Sequence, residues 1–461
     1  MNRQPAARVM ARAAVLLSLL AGGFSARAAR AADAVIVPSA PAAAPPVEDP
    51  LTVEVLTMGP GDHPFTRFGH NAIRIHDART GADHVYNFGT FSFGSPRLVV
   101  DFLQRRLKYW LSRSSMAGTV HVYQRENRTI EAQALALSAA QKQELERRLE
   151  ENARPENREY AYDYFADNCS TRVRDVLDGV LGGRVRAAAA GQGAMSLRAH
   201  ALRMAADDLP LYTALLIVLG PRADRPTDEW AEAFLPEMLQ RTLRGVSTGD
   251  VAAPGQRLVR AERVVFEAQR APPRREAPNR LPAFLVSGLC SGGALAALGR
   301  AGTRRRGPRF LFGVLVAVVG LLAGFIGCFL AGSWAFTPHQ VVYRNENVLL
   351  FAPFALGLAL FGLGTALGRA PSARKTYLLA ACALGMALAA CALKLFPWSR
   401  QENGALILLM VPIWLGMTVG ARAMAGVGNP RSGTGRFSLA RVAAAHRRQA
   451  HERRDERRDL H

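Results

Sequence analysis

Cysteine is scarce in this chain of 461 residues: there are five. Four of them, Cys290, Cys328, Cys382 and Cys391, sit inside long apolar runs, so Cys169 in "YDYFADNCSTRVRDVLDGVLGG" has no obvious disulfide partner. Acidic residues are also few, 37 against 58 Lys and Arg, for a formal net charge of +21. The placement of that excess argues against a nucleic-acid partner. Much of it lies in an Arg-rich tail and in loops between apolar runs, where Lys and Arg set membrane orientation or meet anionic lipid head groups. Charge is nearly missing from residues 281–426 outside short gaps, which marks this stretch as a membrane domain.

The first 31 residues have the form of a secretory signal, with Arg3, Arg8 and Arg12, a short apolar core over Ala13–Phe24, and the small-x-small site Ala29-Arg30-Ala31. Residues 32–50 are a Pro/Ala linker expected to be extended, and 51–268 an exported globular domain. A second linker, 269–280, leads into the membrane domain, and 427–461 form a basic cytoplasmic tail.

Five apolar runs, at about 281–300, 310–336, 348–368, 376–396 and 405–424, approach or exceed the ~20 residues a spanning helix needs. The gaps "RAGTRRRGPR" and "GRAPSARK" are basic and expected in the cytoplasm. "TPHQVVYRNEN" and "PWSRQENG" are less basic and expected outside. This places Cys169 on the exported side, where a lone cysteine is a reactive thiol or an intermolecular bridge, unless it is simply buried and inert.

After Cys169, the apolar positions Val173, Val176, Leu177, Val180 and Leu181 have the spacing of one helical face, with Asp167 or Asn168 as N-cap and Gly182-Gly183 as the stop. Cys169 would then occupy the first turn, where the helix dipole favours a thiolate and free N–H groups favour an oxyanion. A thiol nucleophile also needs a base. The candidates are His63, His70, His76, His84, His121 and His200. His70 ranks first because "HNAIRIHD" and "HVYNFGTFSF" read as a β-hairpin around "ARTGAD". Asn87 or His84 on the second strand could orient it.

The order of histidine on a strand, neighbouring strand, helical insert and "NC" opening a helix resembles the circularly permuted papain-like fold of lecithin:retinol acyltransferases and some NlpC-like proteins. More closely, "GDHPFTRFGHNAIRI", "VYNFGTF", "YQRENRTIEAQALALS", "YDYFADNCSTRVRDVLD" and "EWAEAFLP" resemble the Lnb N-terminal periplasmic domain family, which includes lipoprotein N-acyltransferases of Bacteroides-type bacteria. The likeness runs over about residues 51–245 and continues at "FTPHQVVYRNENVLL". It implies Cys169 as nucleophile, His70 as base and Asn87 as orienter. The expected fold is therefore α+β: a permuted papain-like exported domain followed by an all-α membrane domain of about five transmembrane helices.

Of the remaining segments, Ser138 to Gln141 read as a capping box for a scaffold helix with Leu145 and Leu149 on its core side. "RLVVDFLQRRLKYWL" reads as one amphipathic helix. "LPLYTALLIVLG" is too short to span and belongs to the core or docks on the membrane. His339, Asn345 and Asn347, in the outer loop after the second span, are polar groups at the lipid boundary and are candidates for substrate binding.

The expected activity is a thiol acyltransferase of the bacterial inner membrane. It would use no cofactor or metal, take its acyl group from a membrane phospholipid or lipoprotein, and accept on a lipoprotein N-terminal amine. The competing readings are a cell-wall peptidase or amidase with the same Cys–His pair, and a non-enzymatic membrane sensor.

Overall fold

A computed structural model describes residues 49–92, 98–248 and 256–427. The signal, the first linker up to residue 48 and the basic tail from residue 428 onward fall outside the described residues.

Among the described residues, seven strands form one antiparallel sheet: β1 (Leu51–Met58), β2 (His70–Asp77), β3 (Ala82–Thr90), β4 (Lys108–Ser115), β5 (Ile130–Leu135), β6 (Glu159–Ala161) and β7 (Val259–Phe266). Their spatial order is β6-β4-β3-β2-β1-β5-β7. The hairpin read from the sequence is β2–β3, with Ile73 opposite Tyr86 and Ile75 opposite His84. Gly81, at φ 70°, supplies the left-handed residue of its turn.

Alternation along the strands divides the core into two layers. Val53, Val55, Ile73, Ile75, Tyr86 and Leu111 face the helices Ala139–Ala153 and Cys169–Val180. Leu56, Met58, Ala72, Val85 and Ile130 face the helix Met116–Arg125. The Ser138–Gln141 capping box is present, and Leu145 and Leu149 are fully buried beneath it.

The stretch read as one amphipathic helix is not one. It is helical only over Leu98–Leu103, and Lys108–Ser115 is β4. Arg105 takes a left-handed backbone, φ 51°, which ends the helix. Beyond it Tyr109 and Leu111 bury at every second residue, so a period of two replaces the helical period.

The membrane part holds four long apolar helices, Leu281–Gly302, Arg306–Phe336, Ala370–Leu393 and Gly404–Val427. The first and last approach closely: a Cβ at Gly292 would run into the Pro412 carbonyl, and one at Gly416 into the Gly292 carbonyl. The third expected span is broken. Its α-helix covers only Leu356–Ala366, preceded by 3₁₀ turns at Gln340–Val342, Glu346–Leu349 and Pro353–Ala355, with a 53° bend.

Even so, this segment runs along the second helix for most of its length. Phe351 lies against Gly327, Leu358 against Gly320, and Gly368 against Arg309. Non-helical backbone at membrane depth is tolerated only where protein covers it. Leu350, Ala352 and Ala355 are buried, and the Trp414 indole donates to the Leu350 carbonyl at 3.1 Å. The broken segment is therefore expected still to exchange sides. A reporter active only outside is expected to work when fused after Tyr343 and to fail when fused after Arg305 or Arg374; the reverse pattern would separate His339 from Cys169 by a membrane.

The two parts share a core. Leu202, Ala205, Tyr212 and Leu216 of the soluble helices pack in one cluster with Phe284, Phe351 and Trp414. The short apolar helix Leu209–Val218 thus docks on the membrane domain.

Candidate active site

Cys169 is the first residue of the helix Cys169–Val180. Asn168 is the N-cap: its side-chain oxygen accepts from the Thr171 N–H at 2.9 Å, while the Thr171 hydroxyl accepts from the Asn168 N–H at 2.7 Å. The Asn168 amide also donates to the Tyr164 and Phe234 carbonyls at 2.9 Å each, so the cap is fixed from both sides. The first-turn N–H groups of Cys169 and Ser170 are among those a helix leaves without intrahelical partners. Free first-turn N–H groups of this kind can serve as donors to an oxyanion.

His70 opens β2, the strand next to this helix, and bonds the Cys169 sulfur. Burial pushes the Cys169 thiol up. The His70 charge and hydrogen bond, the Asn71 backbone N–H and the Ser170 hydroxyl outweigh it and hold the thiol below its ordinary value. The thiolate therefore forms more readily than on an ordinary cysteine, which suits a nucleophile. With His70 replaced by Ala, the main opposing effect is gone and the thiol pKa rises. Alkylation of Cys169 by iodoacetamide at pH 7 is then expected to slow, and the midpoint of its rate–pH curve to move upward. An unchanged profile would remove His70 from the role of base.

Two glycines make room here. Gly69 has φ +83°, and a Cβ there would stand 2.7 Å from the Met58 carbonyl oxygen. Gly89 has φ +89° and faces the Cys169 thiol, with a Cβ position 3.5 Å from that of Cys169. Both backbones sit where L side chains are strained.

A cavity of about 330 Å³ opens from the thiol. Its soluble-domain wall is aromatic: Phe91 and Tyr109 approach to 4.9 Å between ring centres, and Tyr109 stacks on Tyr162 at 4.1 Å. The other wall comes from the membrane domain, through Phe329, Ser333, Thr337 and His339. Apolar lining with few polar groups suits a hydrophobic ligand.

Of the residues singled out in the sequence, the structure brings Cys169, His70 and His339 to this one cavity. His339 is buried. Its Nδ1 lies 3.3 Å from an Asp163 carboxylate oxygen, its Nε2 lies 3.0 Å from the Phe102 carbonyl, and its ring stacks on Phe102. Burial pushes the Asp163 carboxyl up, but His339 and the N–H groups of Phe165 and Ala166 more than offset this, leaving it below the usual range.

The other predicted residues are placed elsewhere. Asn87 donates to the Val85 carbonyl at 3.2 Å and to the Ser114 hydroxyl at 3.1 Å, and it does not line the cavity. His84 lies further along β3, opposite Ile75. Asn345 and Asn347 are buried outside the lining. Their amides donate to the carbonyls of Leu216, Ile217 and Val218 at 2.8–3.0 Å, closing the C-terminus of the helix Leu209–Val218. That is the partnering such groups need at a lipid boundary.

Sequence reasoning missed Asn71. Its side chain accepts from Ser170 at 2.7 Å and donates to Thr57 at 3.0 Å, tying the Cys169 helix to β1 and β2. The "GHN" tripeptide held that signal, a polar amide directly after the candidate base. It also missed Asp163, whose partner is 176 positions away. Among the described residues no cluster of three His, Cys, Asp or Glu side chains converges as a metal site.

These features define a class: an exported α+β thiol domain set on a helical membrane bundle, with a Cys–His pair in a cavity lined by both. The chain belongs to the Lnb family. Residues 48–204 match the Lnb N-terminal periplasmic domain and residues 301–423 the Lnb transmembrane domain. It is accordingly a membrane-bound protein of a lipoprotein-processing family, with its thiol domain in the periplasm. No curated protein and no solved structure matches the chain.

Proposed function

We propose that this protein is a cysteine-dependent lipoprotein N-acyltransferase of the bacterial inner membrane. The observation that carries the reading is the shared cavity: a thiol with a histidine beside it opens onto an apolar space whose far wall is the outer end of a membrane span. A peptidase acting on a soluble peptide would have no use for that wall.

The Cys169 thiolate attacks the ester carbonyl of an acyl donor, a membrane phospholipid or a lipoprotein. The C–O bond breaks, the alcohol leaves with a proton from His70, and a thioester remains on Cys169. The N-terminal amine of a lipoprotein then attacks the thioester. An amide forms and the thiol is restored. The Cys169 and Ser170 N–H groups stabilise the oxyanion in both steps.

His339 holds the membrane-side wall and faces the donor head group. Asn345 and Asn347 act one step back, by fixing the helix Leu209–Val218 that forms part of the cavity. Anionic head groups would be drawn to the basic loops. The isolated papain-like exported domain supplies the thiol but not this wall.

His339→Ala is expected to lower transfer to lipoprotein by about 10²-fold or more, the cost of misplacing a bound substrate. Alkylation of Cys169 by iodoacetamide stays near the wild-type rate. If both rates fall together, His339 supports the thiol itself rather than the substrate.

The reading as a whole is tested by mass spectrometry of lipoprotein N-termini from cells with and without the protein. A third acyl chain present only in its presence is expected. Unchanged lipoproteins together with cleaved muropeptides would point to the peptidase instead.

A further inference from the structure

A second apolar hollow, of about 570 Å³, lies between the helix Leu209–Val218 and the second span. One side is formed by Leu209, Thr213, Ala214 and Ile217, the other by Phe325 and Phe329. Val218 and Phe329 line both this hollow and the Cys169 cavity, so the two adjoin and these side chains stand between them.

Its depth in the bilayer follows from helix geometry. The second span is 31 residues long, Arg306–Phe336, or ~46 Å at 1.5 Å per residue. That exceeds the ~30 Å hydrocarbon thickness. If the hydrocarbon begins just past Arg309 at Phe310, it ends near Phe329, after ~20 residues. The hollow then lies just inside the outer edge of the hydrocarbon, with Ser333, Thr337 and His339 at head-group level above it. Phe325, on its outer lip, is 70% exposed, and Leu209 is 51% exposed. At that depth, exposed side chains such as these face lipid.

We propose that this hollow is a lateral port through which one acyl chain of a lipid in the outer leaflet reaches the Cys169 cavity. The chain lies between Ala214 and Phe325, passes Val218 and Phe329, and presents its ester to the thiol while the head group stays beside His339. The lining fits such an occupant: Thr213 is the one polar side chain among the wall residues named, and the opening faces hydrocarbon rather than water. The port rests on the acyltransferase reading only for what happens to the ester; occupancy by lipid does not depend on it.

The test uses the full-length protein in phospholipid vesicles containing a phosphatidylcholine with a diazirine in one acyl chain. After illumination, mass spectrometry is expected to find crosslinks concentrated at Leu209–Val218 and Phe325–Phe329. Ala214 is exposed, so Ala214→Trp fills the hollow without entering the core. In that variant, alkylation of Cys169 by a long-chain alkyl maleimide falls about tenfold, as when roughly two buried methylenes lose their contacts. Alkylation by iodoacetamide is unchanged. Crosslinks spread evenly over the spans overturn the port, and so does an Ala214→Trp variant that treats both reagents as wild type does. Crosslinks at the port without any N-acylation in cells would instead sink the acyltransferase reading and leave the port standing.

Discussion

In the proposed reaction, Cys169→Ala is expected to abolish acyl transfer while the protein still inserts and folds. In that reaction the thiolate carries the covalent step, and no other described group in the cavity is placed to replace it. The fold does not depend on the sulfur. The helix it opens is capped by Asn168 and Thr171, pinned to β2 through Ser170 and Asn71, and buried through Val173 and Leu177. Cys169→Ser keeps the shape but loses nucleophilicity, since a hydroxyl beside the same imidazole stays protonated. Both variants are expected to show residual rates at least ~10³-fold below wild type, the scale on which an enzyme loses its nucleophile. Lipoprotein acylation in reconstituted vesicles measures the rate, and melting in detergent confirms the fold. A Cys169→Ala protein with full activity would remove the nucleophile assignment.

The second large effect concerns how the thiol domain is seated. Arg198 and Asp224 form an ion pair with both side chains fully buried, at 2.6 and 3.0 Å. The Arg198 guanidinium also donates to the carbonyls of Leu216, Leu219 and Gly220, while Asp224 accepts from the Glu402 N–H of an outer loop at 3.2 Å. One arginine thus ties together a soluble helix, the C-terminus of the docking helix and the membrane domain. Arg198→Ala leaves Asp224 buried without its countercharge, at an expected cost of about 3–5 kcal/mol. Arg198→Met combined with Asp224→Leu, which removes both charges, recovers part of that loss. Thermal unfolding in detergent reads both. A single variant that melts like wild type would show that the pair does not hold the docking.

Much of this site was legible in the sequence. The N-cap, the helical face behind Cys169 and the β2–β3 hairpin are local features, written in residues a few positions apart. The sidedness of the loops came from where Lys and Arg stand. What was not legible depends on distant parts of the chain. The Asp163–His339 contact joins residues from two domains. Asn345 and Asn347 were visible as polar groups near lipid, but not as caps on a helix ~130 positions earlier, because a capping amide carries no record of its acceptor. In the third span, apolarity was visible but the break was not, since the carbonyls it frees are satisfied by partners such as Trp414. The false helix over β4 arose because the apolar residues before Arg105 set a helical rhythm that the backbone abandons there.

The most direct test of the central claim is to look for the intermediate itself. Purified full-length protein is incubated in phospholipid vesicles without any lipoprotein acceptor, and intact protein and peptides are analysed by mass spectrometry. The account predicts an acyl adduct on Cys169 that hydroxylamine removes and that disappears when a lipopeptide with a free N-terminal amine is added. Transfer to lipopeptide proceeding while Cys169 never carries an acyl group would contradict it.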